Sequence, residues 1–262
     1  MKVAGATVVV TGASRGIGAA TARALARAGA RVAMVARSAD LGDLAAAVAA
    51  EGGQVHAYRA DLADMAEVGA VAGRIAAELG TPDVLVNNAG AGRFLSVEET
   101  LPGEAVAMMA VPYFAAFEMT RAFLPGMLAR GSGHVINLTS PASRLVWPGA
   151  NAYTAARWAM RGFSEALRAD LAGTGIDVTL VVPGKVASRY FEANPGSEER
   201  IPRISSLIPT LSPEAVAAAI VGVIERPRRE VVLPAMLRLL FLVHHVAPWP
   251  VEALMVRTGW RR

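Results

Sequence analysis

The sequence predicts an α/β protein, a parallel sheet covered by helices on both faces. Three observations carry the prediction. Short β-branched runs alternate with alanine-rich helical stretches along most of the 262 residues, and such alternation builds parallel strands joined by crossover helices. A glycine-rich turn, Gly12 to Gly18, separates the first strand from the first helix. Later strands run into Asn87-Asn88-Ala89-Gly90 and Pro183-Gly184, residues that end strands rather than continue them. The length would allow two domains, but single α/β domains of this size are common, so residues 1–262 are read as one.

Thr7 to Val10 is the first strand. Met1 to Val10 imitates a short signal peptide, yet it runs directly into Thr11-Gly12 without a small-residue cleavage site. Ile17 to Ala28 is helical and closed by Gly29; Arg31 to Ala36 is a second buried strand. Asp40 is placed to cap a helix to about Glu51, and Val55 to Tyr58 forms a third strand ending at Asp61. Ala63 to Leu79 is helical until Gly80-Thr81-Pro82, and Asp83 to Val86 is the fourth strand. Glu98 to Met109 and Tyr113 to Arg130 have helical patterns interrupted by Pro112. His134 to Leu138 is the fifth strand, with Ser140 just past its carboxyl end. A helix from Asn151 to Ala172, a sixth strand from Asp177 to Val182, a helix opening at Ser212-Pro213-Glu214 and a last strand from Val231 to Leu233 complete the pattern.

Composition narrows the function classes. The chain is 53% hydrophobic with a mean hydropathy of +0.38, but alanine accounts for much of this and no apolar run reaches the length of a spanning helix. The absence of cysteine excludes disulfides, thiolate metal sites and cysteine nucleophiles, and fits a cytoplasmic protein. His56, His134, His244 and His245 have no metal-site spacing, so no metal is expected. With 26 basic and 22 acidic residues the net charge is only +4, and aromatics do not interleave with basic clusters, so nucleic acid is not an expected partner.

In the turn Gly12-Ala13-Ser14-Arg15-Gly16-Ile17-Gly18, glycines let backbone N–H groups and a helix N-terminus approach a pyrophosphate. The same residues satisfy G-x-S-x-G, but a hydrolase nucleophile at Ser14 needs earlier strands for its oxyanion loop, and only thirteen residues precede it. A phosphate-bonding hydroxyl is the better reading of Ser14. About twenty residues beyond the turn, a fold that binds NAD places an acidic residue on the adenosine ribose. Here Ala36-Arg37 stands instead, and Arg37 with Arg15 offers two guanidiniums to a 2′-phosphate, which favours NADP(H).

Thirteen positions separate Ser140 from Tyr153, and Tyr153 and Arg157, four apart on a helix, share one face. Taken in order, Thr11-Gly12 to Gly18, Asn87-Asn88-Ala89-Gly90, Ser140 with Tyr153, and Pro183-Gly184 resemble the short-chain dehydrogenase/reductase family over residues 7 to about 188. The resemblance implies a seven-stranded, doubly wound, Rossmann-like sheet and hydride transfer between a nicotinamide and a carbonyl or alcohol. It implies that Asp61 and Leu62 border the adenine, that Asn88, Ala89 and Gly90 line the ribose side, and that Pro183, Gly184, Val186 and Ser188 hold the carboxamide. Tyr153 becomes the proton donor and acceptor and Ser140 polarises the substrate oxygen. A phenol of pKa near 10 needs a neighbouring cation to work near neutral pH.

Two positions depart from the family pattern. The family has a lysine four residues after the tyrosine, whereas this chain has Arg157, which keeps the charge but does not readily release a proton. The two lysines are Lys2 and Lys185, and a solvated or phosphate-facing Lys185 is expected rather than a substitute ammonium. The family's active-site asparagine is also missing, since none occurs between Asn88 and Asn137; by position Pro112 matches it, able to keep a helix kink while losing the amide.

The C-terminal stretch 234–262 is apolar from Met236 to Val243 and again from Val251 to Val256, and carries Trp249, Arg257, Trp260, Arg261 and Arg262. It reads as a lid over an apolar pocket, a subunit interface in a homodimer or homotetramer, or a peripheral membrane anchor. The irregular 189–211 segment, with Tyr190, Phe191, Ile204 and Leu207, is expected to form another wall around a lipophilic substrate. The expectation is an NADP(H)-dependent oxidoreductase using Tyr153, Ser140 and Arg157. The alternatives are a nucleotide-binding sensor with weakened redox chemistry and an acid-catalysing enzyme without net hydride transfer.

Overall fold

A computed structural model describes residues 1–261; Arg262, one of the terminal arginines noted above, lies outside the described residues. Seven parallel strands form one sheet in the order β3-β2-β1-β4-β5-β6-β7. They are β1 (Thr7–Thr11), β2 (Arg31–Ala36), β3 (Gln54–Arg59), β4 (Val84–Asn87), β5 (Gly133–Leu138), β6 (Ile176–Pro183) and β7 (Glu230–Leu233). The order reverses between β1 and β4, and the carboxyl ends of strands at such a switch open the crevice where ligands bind.

Period-two alternation distributes the strand side chains to two cores. Val8, Val10, Val32, Met34 and Val86 face helices α1 (Gly16–Arg27), α2 (Leu41–Ala50) and α7 (Pro213–Glu225) through Leu25, Val48 and Ile220. Val9, Val35, Leu85 and Val135 face the other side, where α3 (Met65–Leu79), α5 (Ala115–Arg130) and α6 (Asn151–Asp170) contribute Ile75, Met119, Phe123 and Leu167. Between the sheet and α6 runs a buried polar chain. Asn87 Nδ2 donates to Asn137 Oδ1 at 2.8 Å, Asn137 Nδ2 to Ser164 Oγ at 2.9 Å, and Ser164 Oγ to the Met160 carbonyl at 2.7 Å. These bonds, hard to satisfy in any other register, set the height of α6 against the strand ends.

The elements differ from the sequence expectation in three places. The stretch expected to be helical from Glu98 is helical only as α4 (Glu104–Met109), because Pro102 and the left-handed Gly103 (φ +82°) delay the start. Pro112 does not break the chain into two helices; it lies in a π-helical turn, Ala110–Phe114, continuous with α4 and α5. Lacking an N–H, it leaves the Met108 carbonyl without the usual i+4 donor, and the wider turn accommodates the proline ring. Asp40 precedes α2 without a side-chain cap, whereas Asp64 caps α3 by accepting from the Ala66 N–H.

Beyond β7, α8 (Ala235–Val246) and α9 (Pro248–Thr258) meet at 119° and lay Leu237, Phe241, Val251 and Met255 against Leu145, Leu180 and Val182. Their outer faces expose Leu239, Leu242, Val246 and Trp249. Among the described residues no single helix is long and apolar enough to cross a membrane; α8 and α9 reach that length and apolarity only as a bent pair.

Candidate active site

The turn after β1 is shaped by what a side chain would strike. Gly12 (φ +66°) and Gly16 (φ +54°) adopt backbone conformations that L-residues avoid, and a Cβ on Gly18 would lie 2.2 Å from the Gly12 carbonyl oxygen. Asn88 locks the turn from β4: its Nδ2 donates to the Thr11 carbonyl at 2.8 Å and to the Gly12 carbonyl at 3.2 Å. Thr11 Oγ1 in return accepts from the Asn88 and Ala89 N–H groups, both at 3.0 Å. Asn88 and Ala89 therefore brace the phosphate turn as well as bordering the crevice. Helix α1 follows Arg15 with no side-chain cap among the described residues, which leaves its first N–H groups available, an arrangement that suits a pyrophosphate.

At the adenosine end, Arg15 and Arg37 are exposed and neither pairs with a carboxylate among the described residues. Asp61 uses its carboxylate to accept from the Ala63 N–H at 3.0 Å, and Leu62 is buried in the core beside α3. On the opposite wall, Pro183 ends β6 and Gly184 N–H donates to the Leu233 carbonyl at 2.7 Å. Val186 bridges to Leu211, and Ser188 folds over the turn so closely that a Cβ on Gly16 would lie 3.4 Å from the Ser188 Cβ. Ser14, Ile17 and Gly90 sit along the same crevice: Ile17 packs on the core side, and Gly90 lies over the Arg157 guanidinium, with a Cβ there only 3.0 Å from Nη2. These glycines and the bare helix end fit a dinucleotide lying across the sheet.

Helix α6 carries the two candidate catalytic side chains, Tyr153 and Arg157. Tyr153 and Arg157 are 7% and 6% exposed, one turn apart on its inner face. Thr139 Oγ1 donates to the Arg157 carbonyl at 3.1 Å, tying that face to the end of β5 where Ser140 begins a 3₁₀ turn. Ser140 Oγ accepts from the Ala142 N–H at 3.1 Å and keeps its proton free for a substrate oxygen. The Arg157 carbon Cζ lies 4.7 Å from the Tyr153 ring centre. Burial opposes the guanidinium charge, but the Tyr153 and Tyr190 phenols beside it more than compensate, so its pKa stays above the usual arginine value.

Ser140 and Tyr153 open onto one cavity of about 120 Å³. Its wall is otherwise mainly apolar: Phe94, Leu145 and Trp147, then Ile201 and Ile208 from the 189–211 segment, then Leu237, Leu240 and Met255 from α8 and α9. The inner face of the C-terminal helices thus forms part of the pocket wall. Phe94, whose ring centre is 4.6 Å from that of Tyr153, escaped the sequence reading because that contact joins residues far apart in the chain, and Trp147 stands edge-on to Phe94 at 5.8 Å; an aromatic two positions after Gly92 was the local signal. Lys185 pairs with Glu198 at 2.6 Å at the rim, so it is not a substitute ammonium for Tyr153.

The short chain dehydrogenase family model matches residues 6–198. The ketoacyl reductase HetN of a Nostoc species is 30% identical over 95% of this chain and 88% of its own. The probable oxidoreductase EphD of Mycobacterium tuberculosis is 36% identical over 84% of this chain but only 40% of its own, and the glycine betaine reductase ATRR of Emericella nidulans is 37% identical over 86% of this chain and 18% of its own. This chain therefore spans well under half of those two relatives. Among solved structures, a short-chain dehydrogenase from Streptomyces avermitilis is 30% identical with a TM-score of 0.81 over 95% of both chains. A metagenomic short-chain oxidoreductase in complex with NADP is 33% identical with a TM-score of 0.74, over 89% of this chain and 98% of that one. With the sheet order, the glycine turn and the Ser140–Tyr153 cavity in place, the match shows that this chain belongs to the short-chain dehydrogenase/reductase family.

Proposed function

We propose that the chain is an NADP(H)-dependent enzyme that moves a hydride between the nicotinamide and an apolar ketone, aldehyde or secondary alcohol. The observation that carries the reading is the convergence of the Ser140 hydroxyl and the Tyr153 phenol on a mainly apolar cavity beside the glycine-turn crevice. Unpaired Arg15 and Arg37 at the adenosine end support the phosphorylated dinucleotide, as do the NADP-bound relatives.

The bound nicotinamide supplies or accepts the hydride. In the reducing direction Ser140 donates a hydrogen bond to the substrate oxygen, and Tyr153 gives that oxygen its phenolic proton. Arg157 keeps a positive charge next to the ring and favours the phenolate that results. Phe94, Trp147 and the α8–α9 wall keep water from the reacting centre.

Thermal stabilisation by NADPH against NADH, followed by a panel of apolar carbonyls and alcohols read at the nicotinamide absorbance, tests the proposal. NADPH is expected to stabilise more. Tyr153→Phe is expected to abolish turnover and leave NADPH binding almost intact; normal activity in that variant refutes the assignment. A second reading, a nucleotide-binding sensor with weakened redox chemistry, is favoured by the buried Arg157, which holds its proton more firmly than a lysine would. It predicts NADPH binding with no turnover on any member of the panel.

A further inference from the structure

Tyr190 brings a second phenol to the catalytic one. It leaves the chain just after Ser188, on the segment that folds over the glycine turn, and its hydroxyl donates to the Gly92 carbonyl at 2.6 Å. The Tyr190 side chain packs against the cluster that buries Tyr153, and Gly92, whose carbonyl it holds, lies against the Tyr153 ring: a Cβ on Gly92 would be 3.2 Å from Tyr153 Cδ2. Phe191 stands at right angles to the Tyr190 ring, 5.4 Å away, and packs in turn on Phe94, the ring that covers Tyr153. Burial, with Tyr153 alongside, pushes the Tyr190 phenol well above the ordinary tyrosine range. Its proton is therefore retained at every pH at which the enzyme would work, and Tyr190 remains a donor.

Resting on the oxidoreductase reading of Tyr153, we propose that Tyr190 is a positioning residue that holds the Tyr153 phenolate formed after proton transfer. Its O–H turns from the Gly92 carbonyl to the phenolate oxygen. In that step the Tyr153 O–H bond breaks and the proton forms an O–H bond on the substrate. The Tyr190 O–H bond stays intact and only its acceptor changes. Tyr153 regains a proton from water before the next turnover.

The chain has reason to use such a donor. Arg157 carries the charge of the family's lysine, but one of its amino groups reaches toward the Ala91 carbonyl at 3.5 Å, and its planar fork cannot turn as an ammonium can. Pro112 removes the amide side chain on the neighbouring helix. A phenol from the loop supplies a rotatable hydrogen-bond donor at the same oxygen. The titratable and charged groups around Tyr153 are Arg157 on its own helix, Tyr190 from the loop, and the Lys185–Glu198 pair at the cavity rim. From the α4 side, the group nearest Gly92 is the uncharged Met108.

Tyr190→Phe and Tyr190→Met test the assignment, with NADPH binding as the check on folding. Losing a hydrogen bond to a charged group is expected to cut kcat at neutral pH about tenfold. It is expected to displace the pH profile of kcat to higher pH, with the NADPH dissociation constant unchanged. A readout without turnover is phenolate absorbance in the cofactor-free protein, which has four tyrosines. The titration step lost in Tyr153→Phe is expected to move to higher pH in Tyr190→Phe. A raised KM with the kcat profile and the absorbance titration unmoved would mean that Tyr190 only fastens the loop to Gly92, and the proposal fails. Tighter NADPH binding with unchanged kcat would make the phenol an obstruction, and it fails again. Full activity in Tyr153→Phe overturns the oxidoreductase reading of Tyr153 and this inference with it, which separates the two failures.

Discussion

Arg200 clasps Glu99 through two hydrogen bonds of 2.6 and 2.7 Å, joining the segment before α7 to the turn that follows β4. Ser96 adds its N–H and hydroxyl to the same carboxylate, at 2.9 and 2.7 Å. On the outer side the guanidinium lies 4.2 Å over the ring of Trp260. One arginine therefore holds the 189–211 wall, the β4 side and the C-terminal tail together above the cavity.

Arg200→Ala is expected to loosen these three segments at once. Limited proteolysis should cut within 189–211 severalfold faster, and the KM of a bulky substrate should rise while NADPH binding stays. Unchanged cleavage would show that the clasp is decorative.

Glycine substitutions should divide sharply by site. Gly18→Ala puts a Cβ 2.2 Å from the Gly12 carbonyl oxygen and 2.5 Å from Asn88 Nδ2, with neither able to retreat, and is expected to cost about 3 kcal/mol or more and to abolish NADPH binding. Gly69→Ala and Gly73→Ala in α3 meet nothing within 4 Å and are expected to stabilise by about 1 kcal/mol each. Chemical denaturation of the three variants measures both directions.

His134 makes the fold acid-sensitive. Thr179 Oγ1 gives its one proton to the Arg228 carbonyl at 2.7 Å, so His134 Nε2 must be the donor in their 2.8 Å contact and Nδ1 is left bare and buried. Burial lowers its pKa to about 4 from 6.5. Between those values the unfolded chain takes up a proton that the folded one refuses, so stability falls as pH drops from 6.5 and levels out below 4. The loss is about 3 kcal/mol. His134→Gln should remove this part of the pH dependence in urea denaturation.

Arg37→Asp places a carboxylate where the resting chain offers a guanidinium. It is expected to weaken NADPH binding tenfold to a hundredfold and to strengthen NADH binding. Equal losses for both dinucleotides would place Arg37 outside the 2′-phosphate site.

The frame was legible because it rests on local signals. The strand runs, the Gly12–Gly18 turn and the Ser140–Tyr153 spacing all lie within short windows, and each observed strand starts and ends within about a residue of its expected limits. Sequence reading failed where a long-range partner decided the outcome. Glu98 to Thr100 scores as helix, but the Glu99 side chain is drawn to Ser96 and to Arg200, a hundred and one positions away. Pro112 signals a break, yet packing of the aromatic ladder Tyr113, Phe117 and Phe163 keeps the chain helical through a π turn. The meeting of Tyr190 with Tyr153 joins a loop to a helix, and no periodicity records that.

The wall that α8 and α9 contribute to the cavity has an evolutionary corollary. Ser140, Tyr153, Arg157 and the nucleotide crevice all fall within the segment shared with the family, residues 6–198, whereas Ile201, Ile208, Leu237, Leu240 and Met255 of the cavity wall come after it. The proposed reaction centre lies wholly within the shared segment, whereas the cavity wall draws on both stretches, with Phe94, Leu145 and Trp147 on one side of that boundary and Leu237, Leu240 and Met255 on the other. Divergence of the later stretch can therefore reshape one side of the cavity while Ser140, Tyr153 and Arg157 stay in place.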